Sequence, residues 1–432
     1  MTDYSSTPPI RHPAGAPHFH YQDNTLYAEG VRLTDLAHAL GTPLYVYSRA
    51  ALKTAWSAYQ QAIKGRKVLV CYGMKANSNL AVLREFAGLG SGFDIVSGGE
   101  LARVLAAGAD PSRVVFSGVG KQVWEMEAAL KAGVKCFNVE SLPELRRLSG
   151  VATAAGKRAA VSLRVNPDVD AQTHPYISTG LKENKFGIAI DQAASAYELA
   201  ASLPGIEIVG VDCHIGSQIT EVSPYLDALD KLLTLIDRLK LRGISLRHLD
   251  LGGGIGIRYD DEQPISPSTL LDHIFAQLNA RGHGHLELVL EPGRSLVGNA
   301  GVLLTTVQYL KHTEARNFAI VDAAMNDLMR PALYEAWHGV LPALVREQAP
   351  VVYDVVGPVC ESADWLARAR DLAINEQDVL VIESAGAYGF VMSGNYNSRG
   401  RAAEVMVDGG QYHVVRQRES FEDLIRGESF LP

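Results

Sequence analysis

The chain has 432 residues, of which 47% are hydrophobic and 20% charged, with a formal net charge of -8. That composition is too apolar for a disordered chain and lacks the basic excess of a nucleic-acid binder. No apolar run reaches the roughly 18–20 residues of a membrane span, and the four cysteines (Cys71, Cys136, Cys213, Cys360) are scattered without a CxxC pair, so no zinc site or disulfide framework is expected and a reducing cytoplasm fits.

Residues 1–20 (MTDYSSTPPIRHPAGAPHFH) contain no apolar stretch and read as a loose tail rather than a signal peptide. Residues 21–46 include a hairpin-like piece, LYAEGVRL, expected to pack with a later β region. Within a domain expected to span 47–295, one pattern recurs from about residue 66, in which a short apolar run ends in a small or polar cluster and an Ala/Leu-rich helical stretch follows. The runs are Val68–Tyr72, Phe93–Val96, Val114–Phe116, Cys136–Val139, Val161–Val165, Ile208–His214, His248–Leu251 and Leu286–Glu291. Eight near-continuous apolar strands alternating with helices predict a parallel α/β sheet closed as a TIM (β/α)8 barrel, with a doubly wound open sheet as the competing reading. From 296 to 432 the runs GVLLTTVQYL, NFAIVDAAM, PVVYDVVG, DVLVIESAG and AAEVMVDGGQYHVV predict a mainly antiparallel β domain, with Asp408-Gly409-Gly410 as a hairpin turn.

Barrel enzymes place their chemistry at the C-terminal ends of the strands. There the sequence offers Lys75 after strand one, His214 after strand six, Gly252-Gly253-Gly254 after strand seven, and Glu291 with Arg294 after strand eight. Each has a plain reading of its own: a solvated lysine, a buried hydrogen-bonded histidine, a tight turn. The glycine run is not a dinucleotide fingerprint, since Ile257 and Tyr259 stand where GxGxxG needs glycine, and no GxxxxGK[ST] occurs. A carboxylate at the core rim, as Glu291 would be, requires a partner. No His or acid spacing supports a metal. Together the set suits pyridoxal 5'-phosphate, which needs a lysine for a Schiff base, N–H donors for phosphate, an acid for the ring nitrogen and a flat group over the ring.

The motifs YGMKAN, FDIVSGGE, HIGSQ, DLGGG, EPGR, CESAD and AYG, in that order, resemble the pyridoxal-phosphate decarboxylases of the alanine-racemase-like fold, and among these the diaminopimelate decarboxylases. The resemblance runs from about residue 25 to about 420 and implies a TIM barrel followed by a C-terminal all-β, Greek-key-like barrel. It implies that Lys75 forms the Schiff base and that His214 stacks on the cofactor ring. It places Ser217, Gly254, the backbone around Gly293 and Arg294, and the Tyr388 hydroxyl at the phosphate, with Glu291 on the pyridine nitrogen. Racemases of this fold carry an arginine at that last position. Asp94, Glu100 and Arg164 match positions that line the cofactor floor. Cys360 and Glu361 match residues that enter the partner subunit's site, implying a homodimer with shared active sites. Arg294, Arg330 and Tyr334 match contacts to substrate carboxylate, with Glu361 for an amine and Tyr388 nearby. Pro331 favours a helix start beside Arg330, which would let Tyr334 point the same way. Such a set fits meso-2,6-diaminopimelate, whose decarboxylation gives L-lysine and CO2. A sibling acting on arginine, ornithine or a carboxylated polyamine is the alternative. A non-catalytic relative would lack the lysine or the cysteine, and both are present. Asn184 in ENKFG departs from the serine found in many relatives.

Overall fold

The structure, a computed structural model, describes residues 12–170 and 185–432; Asn184 lies outside the described residues. The chain divides into two compact units, one made of Ala55–Ile257 and Gln263–Leu296, the other of the chain up to Thr54, Arg258–Glu262 and Val297–Pro432.

In the first unit the strands are Val68–Gly73, Gly92–Ile95, Val114–Phe116, Cys136–Val139, Ala159–Asn166, Ile206–Asp212, His248–Asp250 and Glu287–Leu290. Each pairs in parallel with the next, and the last returns to the first through Leu288↔Val68 and Leu290↔Val70. The ring therefore closes, which sets aside the open sheet. Four of the helices between strands begin where a short polar side chain caps them. Asn79 accepts from the Ala81 N–H, Ser97 from Glu100, Ser141 from Glu144 and Ser266 from Thr269. The longest helix, Ser223–Leu241, buries Leu229, Leu232, Leu233 and Ile236, the spacing of one face. Leu69, Cys71, Val115, Cys136, Val209 and Val289 make one buried cluster of strand residues. Cys71, Cys136 and Cys213 are buried, and burial pushes their thiols up, so they act as small apolar packing groups.

The second unit is mainly β. Phe19–Gln22, Thr25–Ala28 and Val31–Arg32 form an antiparallel meander. Phe19 is buried there, so ordered structure begins before residue 21 and the expected tail to residue 20 is too long. The apolar strand Leu44–Ser48 lies between Gly301–His312, antiparallel to it, and Ala403–Asp408, parallel to it. Gly301–His312 also pairs with Val379–Ile382 and, beyond a bulge at Val307–Tyr309, with Asn317–Val321. Val351–Val356 and Trp365–Leu372 extend the sheet at one end. At the other, Ala403–Asp408 turns through Gly409-Gly410 into Gln411–Arg416, with Gly409 at φ 61°, as a tight hairpin requires. Leu26, Leu36, Leu44, Val46, Leu304, Val381 and Val405 belong to its core. Among the described residues no helix is long and apolar enough to cross a membrane.

Candidate active site

Lys75 sits in the one-turn helix Met74–Ala76, which follows the first barrel strand directly. The strand end is tied to the loop after strand eight by the Gly73 N–H, which donates to the Pro292 carbonyl at 2.9 Å. Parallel pairing places Asp94 opposite Gly73, and the Lys75 ammonium donates to Asp94 Oδ2 at 2.7 Å. Asp94 is buried in strand two and its other oxygen has no hydrogen-bond partner among the described residues. Just beyond that strand, Glu100 lies in the first turn of Gly98–Ala106 and accepts from the Val96 N–H at 2.6 Å. Burial pushes Glu100 up to about 7 from 4.5, with the Asp94 charge adding to the effect and the Val96 N–H opposing it.

A testable consequence follows from the sign of that shift. A carboxyl raised on folding binds its proton more tightly in the native state, so its contribution is full at low pH and is lost as pH rises through about 4.5 to 7. Wild type should lose up to about 3 kcal/mol more than Glu100→Gln across that window, measured by urea unfolding at the two ends. Parallel stability profiles for the two proteins would show that Glu100 does not titrate as argued.

The barrel floor gathers acids. Asn138, Arg164, Asp212 and Asp250 come from strands four to seven and Glu291 follows strand eight; all are buried. Arg164 donates to Glu140 Oε1 at 3.1 Å, has Asp212 Oδ2 at 4.0 Å, and covers the Phe186 ring at 4.8 Å. Glu291 Oε1 accepts from the Asn138 amide at 3.3 Å. Oxygens of Asp212, Asp250 and Glu291 lie within 4.8 Å of one another. Burial, and then repulsion from the neighbouring carboxylates, push Asp212 and Glu291 up. Asp212 Oδ1 and Asp250 Oδ2 have no hydrogen-bond donor among the described residues. A floor with more acceptors than donors suits a cationic N–H placed above it.

Strands six and seven lead into His214 and the glycine loop. His214 Nδ1 accepts from the Gly253 N–H at 3.3 Å, which leaves the ring proton on Nε2. Burial lowers the His214 pKa well below 6.5, with Arg164 and Lys75 adding to the effect, so the imidazole is neutral. Asp250 Oδ1 accepts from the Gly252 N–H at 2.8 Å. Gly254 adopts φ 109°, and a Cβ there would stand 2.6 Å from the Gly216 carbonyl, so no other residue fits. Ser217 Oγ accepts from Arg294 Nη2 at 3.0 Å and from Nε at 3.3 Å, next to Gly293.

The barrel unit therefore brings together Lys75, Asp94, His214, Ser217, Gly254, Glu291, Gly293 and Arg294, with Glu100 and Arg164 beside them. Five expected site residues belong to the β unit. Arg330 and Tyr334 bracket the helix Arg330–Tyr334, with Arg330 buried and Tyr334 half-buried. Cys360 and Glu361 lie in the turn between Val351–Val356 and Trp365–Leu372 and are exposed. Cys360 N–H donates to Asn397 Oδ1 at 3.2 Å, and Glu361 accepts from the Tyr396 hydroxyl at 2.5 Å. Tyr388 follows Val379–Ile382 at φ 55°, half-buried. Sequence reasoning passed over Asn138, Asp212 and Asp250. Their signal was a polar residue near the end of an apolar barrel strand, in CFNV, VGVDCH and HLDLGGG.

The residues present fit pyridoxal 5'-phosphate. There is an amine for the aldehyde, a neutral flat ring beside it, a carboxylate floor with orphaned oxygens for a ring N–H, and a glycine turn with a serine and an arginine near it for phosphate. Barrel and site together define a pyridoxal-dependent enzyme, and residues 49–298 match the family described as pyridoxal-dependent decarboxylase, pyridoxal binding domain. A diaminopimelate decarboxylase of Pseudomonas aeruginosa is 62% identical over 414 residues, 96% of this chain and 99% of that protein. The chain belongs to the diaminopimelate decarboxylase family. The crystal structure of that enzyme from Helicobacter pylori complexed with L-lysine has TM-score 0.87 at 43% identity, covering 91% of this chain and 98% of that one. Its M. jannaschii counterpart in co-complex with L-lysine has TM-score 0.92 at 38% identity, covering 97% and 99%.

Proposed function

We propose that this chain decarboxylates meso-2,6-diaminopimelate to L-lysine and CO2 with pyridoxal 5'-phosphate as cofactor. The observation that carries decarboxylation is the buried carboxylate Glu291, held by Asn138 at the barrel floor where a racemase of this fold has arginine. The name shared by close relatives, and L-lysine in two related structures, support the substrate. The cofactor, when bound, supplies an aldehyde for amine substrates and an electron sink for the pair left by departing CO2. Lys75 supplies the amine that holds it, and Asp94 keeps that amine oriented. Neutral His214 covers one ring face without adding charge. Glu291 would hold a proton at the ring nitrogen. Ser217, Gly254, Gly293, Arg294 and Tyr388 take the phosphate, and Arg294, Arg330 and Tyr334 take the carboxylate that the reaction leaves in place.

Purified protein loaded with cofactor should release equimolar CO2 and L-lysine from meso-diaminopimelate and leave arginine, ornithine and carboxylated polyamines untouched. Preference for any of those three would give the function to the sibling decarboxylases.

The proposed assembly is a cytoplasmic homodimer in which Cys360 and Glu361 serve the partner's site. Cys360 is exposed, as a residue reaching another subunit must be, and a thiol can return a proton to the α-carbon. Lys75→Ala and Cys360→Ala, each inactive alone, should regain about a quarter of wild-type activity when refolded together, because half the dimers are hybrid and each hybrid holds one intact site. Hybrid dimers without activity would place Cys360 in its own subunit's chemistry.

A further inference from the structure

In the β unit, Arg330 is held by a histidine that the mechanism above does not use. The buried guanidinium donates from Nη1 to Nε2 of His338 at 2.8 Å. Its Cζ lies 4.8 Å from the centre of the Tyr259 ring, which meets His338 edge-on at 5.3 Å. Arginine only donates, so His338 Nε2 carries the lone pair and the ring proton is on Nδ1. From there it donates to the Glu383 carbonyl at 2.8 Å. His338 is fully buried, and its backbone is fixed as well. Val340–Pro342 pairs with Val379–Ile382, the Glu383 N–H donates to the Gly339 carbonyl at 2.9 Å, and a Cβ at Gly339 would lie 2.0 Å from Glu383 Oε2. One lone pair is thus presented to one N–H in a single orientation. Because the imidazole is neutral in this tautomer, the bond orients the guanidinium without cancelling its charge, as a carboxylate would.

We propose that His338 is a positioning residue for Arg330, fixing its guanidinium so that the remaining N–H groups meet the carboxylate that the substrate keeps. The proposal rests on the reading of Arg330 as that contact. It predicts a loss of affinity transmitted only through Arg330.

The test measures the Kd of L-lysine for the holoenzyme by calorimetry, together with KM and kcat on meso-diaminopimelate. His338→Ala should raise Kd and KM roughly tenfold or more while kcat changes less, the scale of one hydrogen bond to a charged group. His338→Gln, whose Oε1 can accept from Arg330, should recover part of the affinity. His338→Asn, which reaches only the position of Nδ1, should not. In the Arg330→Ala background, removing His338 should cost nothing further. Losses that add in the double variant, or unchanged Kd in His338→Ala and His338→Asn while Arg330→Ala binds weakly, would overturn the positioning role alone. Unchanged Kd in Arg330→Ala would overturn the substrate-contact reading and the proposal with it. His338→Gln nearly preserves volume and polarity, so it keeps the test usable if the alanine variant does not fold.

Discussion

Lys75→Ala should lower turnover by about 10⁴-fold or more, the scale on which removing a covalent participant acts, and should abolish the borohydride-trappable link to the cofactor. The same substitution strips Asp94 of a partner at 2.7 Å and leaves a buried carboxylate unpaired, which by itself destabilises the strand ends. Lys75→Arg separates the two effects. It retains a cation for Asp94 but cannot condense with an aldehyde, so it should fold with near wild-type melting behaviour and remain inactive. Borohydride labelling of a peptide containing some other lysine in either variant would move the covalent role away from Lys75.

Glu291→Gln should slow decarboxylation by about 10²–10³, the usual consequence of removing one preorganised electrostatic contact to developing charge. Glutamine keeps an oxygen to accept from Asn138, so the bond at 3.3 Å survives and only the negative charge is lost. The apoprotein should respond in the opposite direction. Glu291 is crowded by burial and by Asp250, Asp94 and Asp212, all of which push its pKa up. Neutralising it relieves that crowding, so apo Glu291→Gln should melt higher than wild type at pH 8 while the loaded enzyme is slower. A variant with normal turnover would remove the electron-sink role, and one that melts lower at pH 8 would contradict the acid-crowded floor.

The barrel was legible because its signal is local. Each strand is a short apolar run, four of the helices that follow begin at a capping Asn or Ser, and the strands recur eight times. Lys75, His214, Gly254 and Glu291 could be read because they follow strand ends in short motifs. Asp212 and Asp250 could not be ranked, because a lone acid near a strand end acquires meaning only when closure brings three carboxylates within 4.8 Å. The β unit hid more. That Leu44–Ser48 pairs in parallel with Ala403–Asp408 is not encoded in either segment, since both read simply as apolar strands. His338 was invisible for the same reason: its role depends on the register that sets Gly339 beside Glu383 and on Tyr259, which joins the unit from a distant stretch of chain.

The Leu44–Ser48 strand has a consequence for biogenesis. All five of its residues are buried in the folded unit, and its neighbours on both sides are made much later, with the Tyr47 hydroxyl bonding a Glu404 carboxylate 357 residues downstream. At roughly 5–20 residues per second of synthesis, about 13–50 s pass before Gly301–His312, its first partner edge, has been made. The first barrel strand likewise waits for the eighth, which arrives only at Glu287–Leu290. Such long-separation pairings make closure late and slow, and they leave an apolar strand open to aggregation on the nascent chain. The nascent chain therefore carries an apolar strand within its first fifty residues for most of its synthesis, until the β domain's later strands are made.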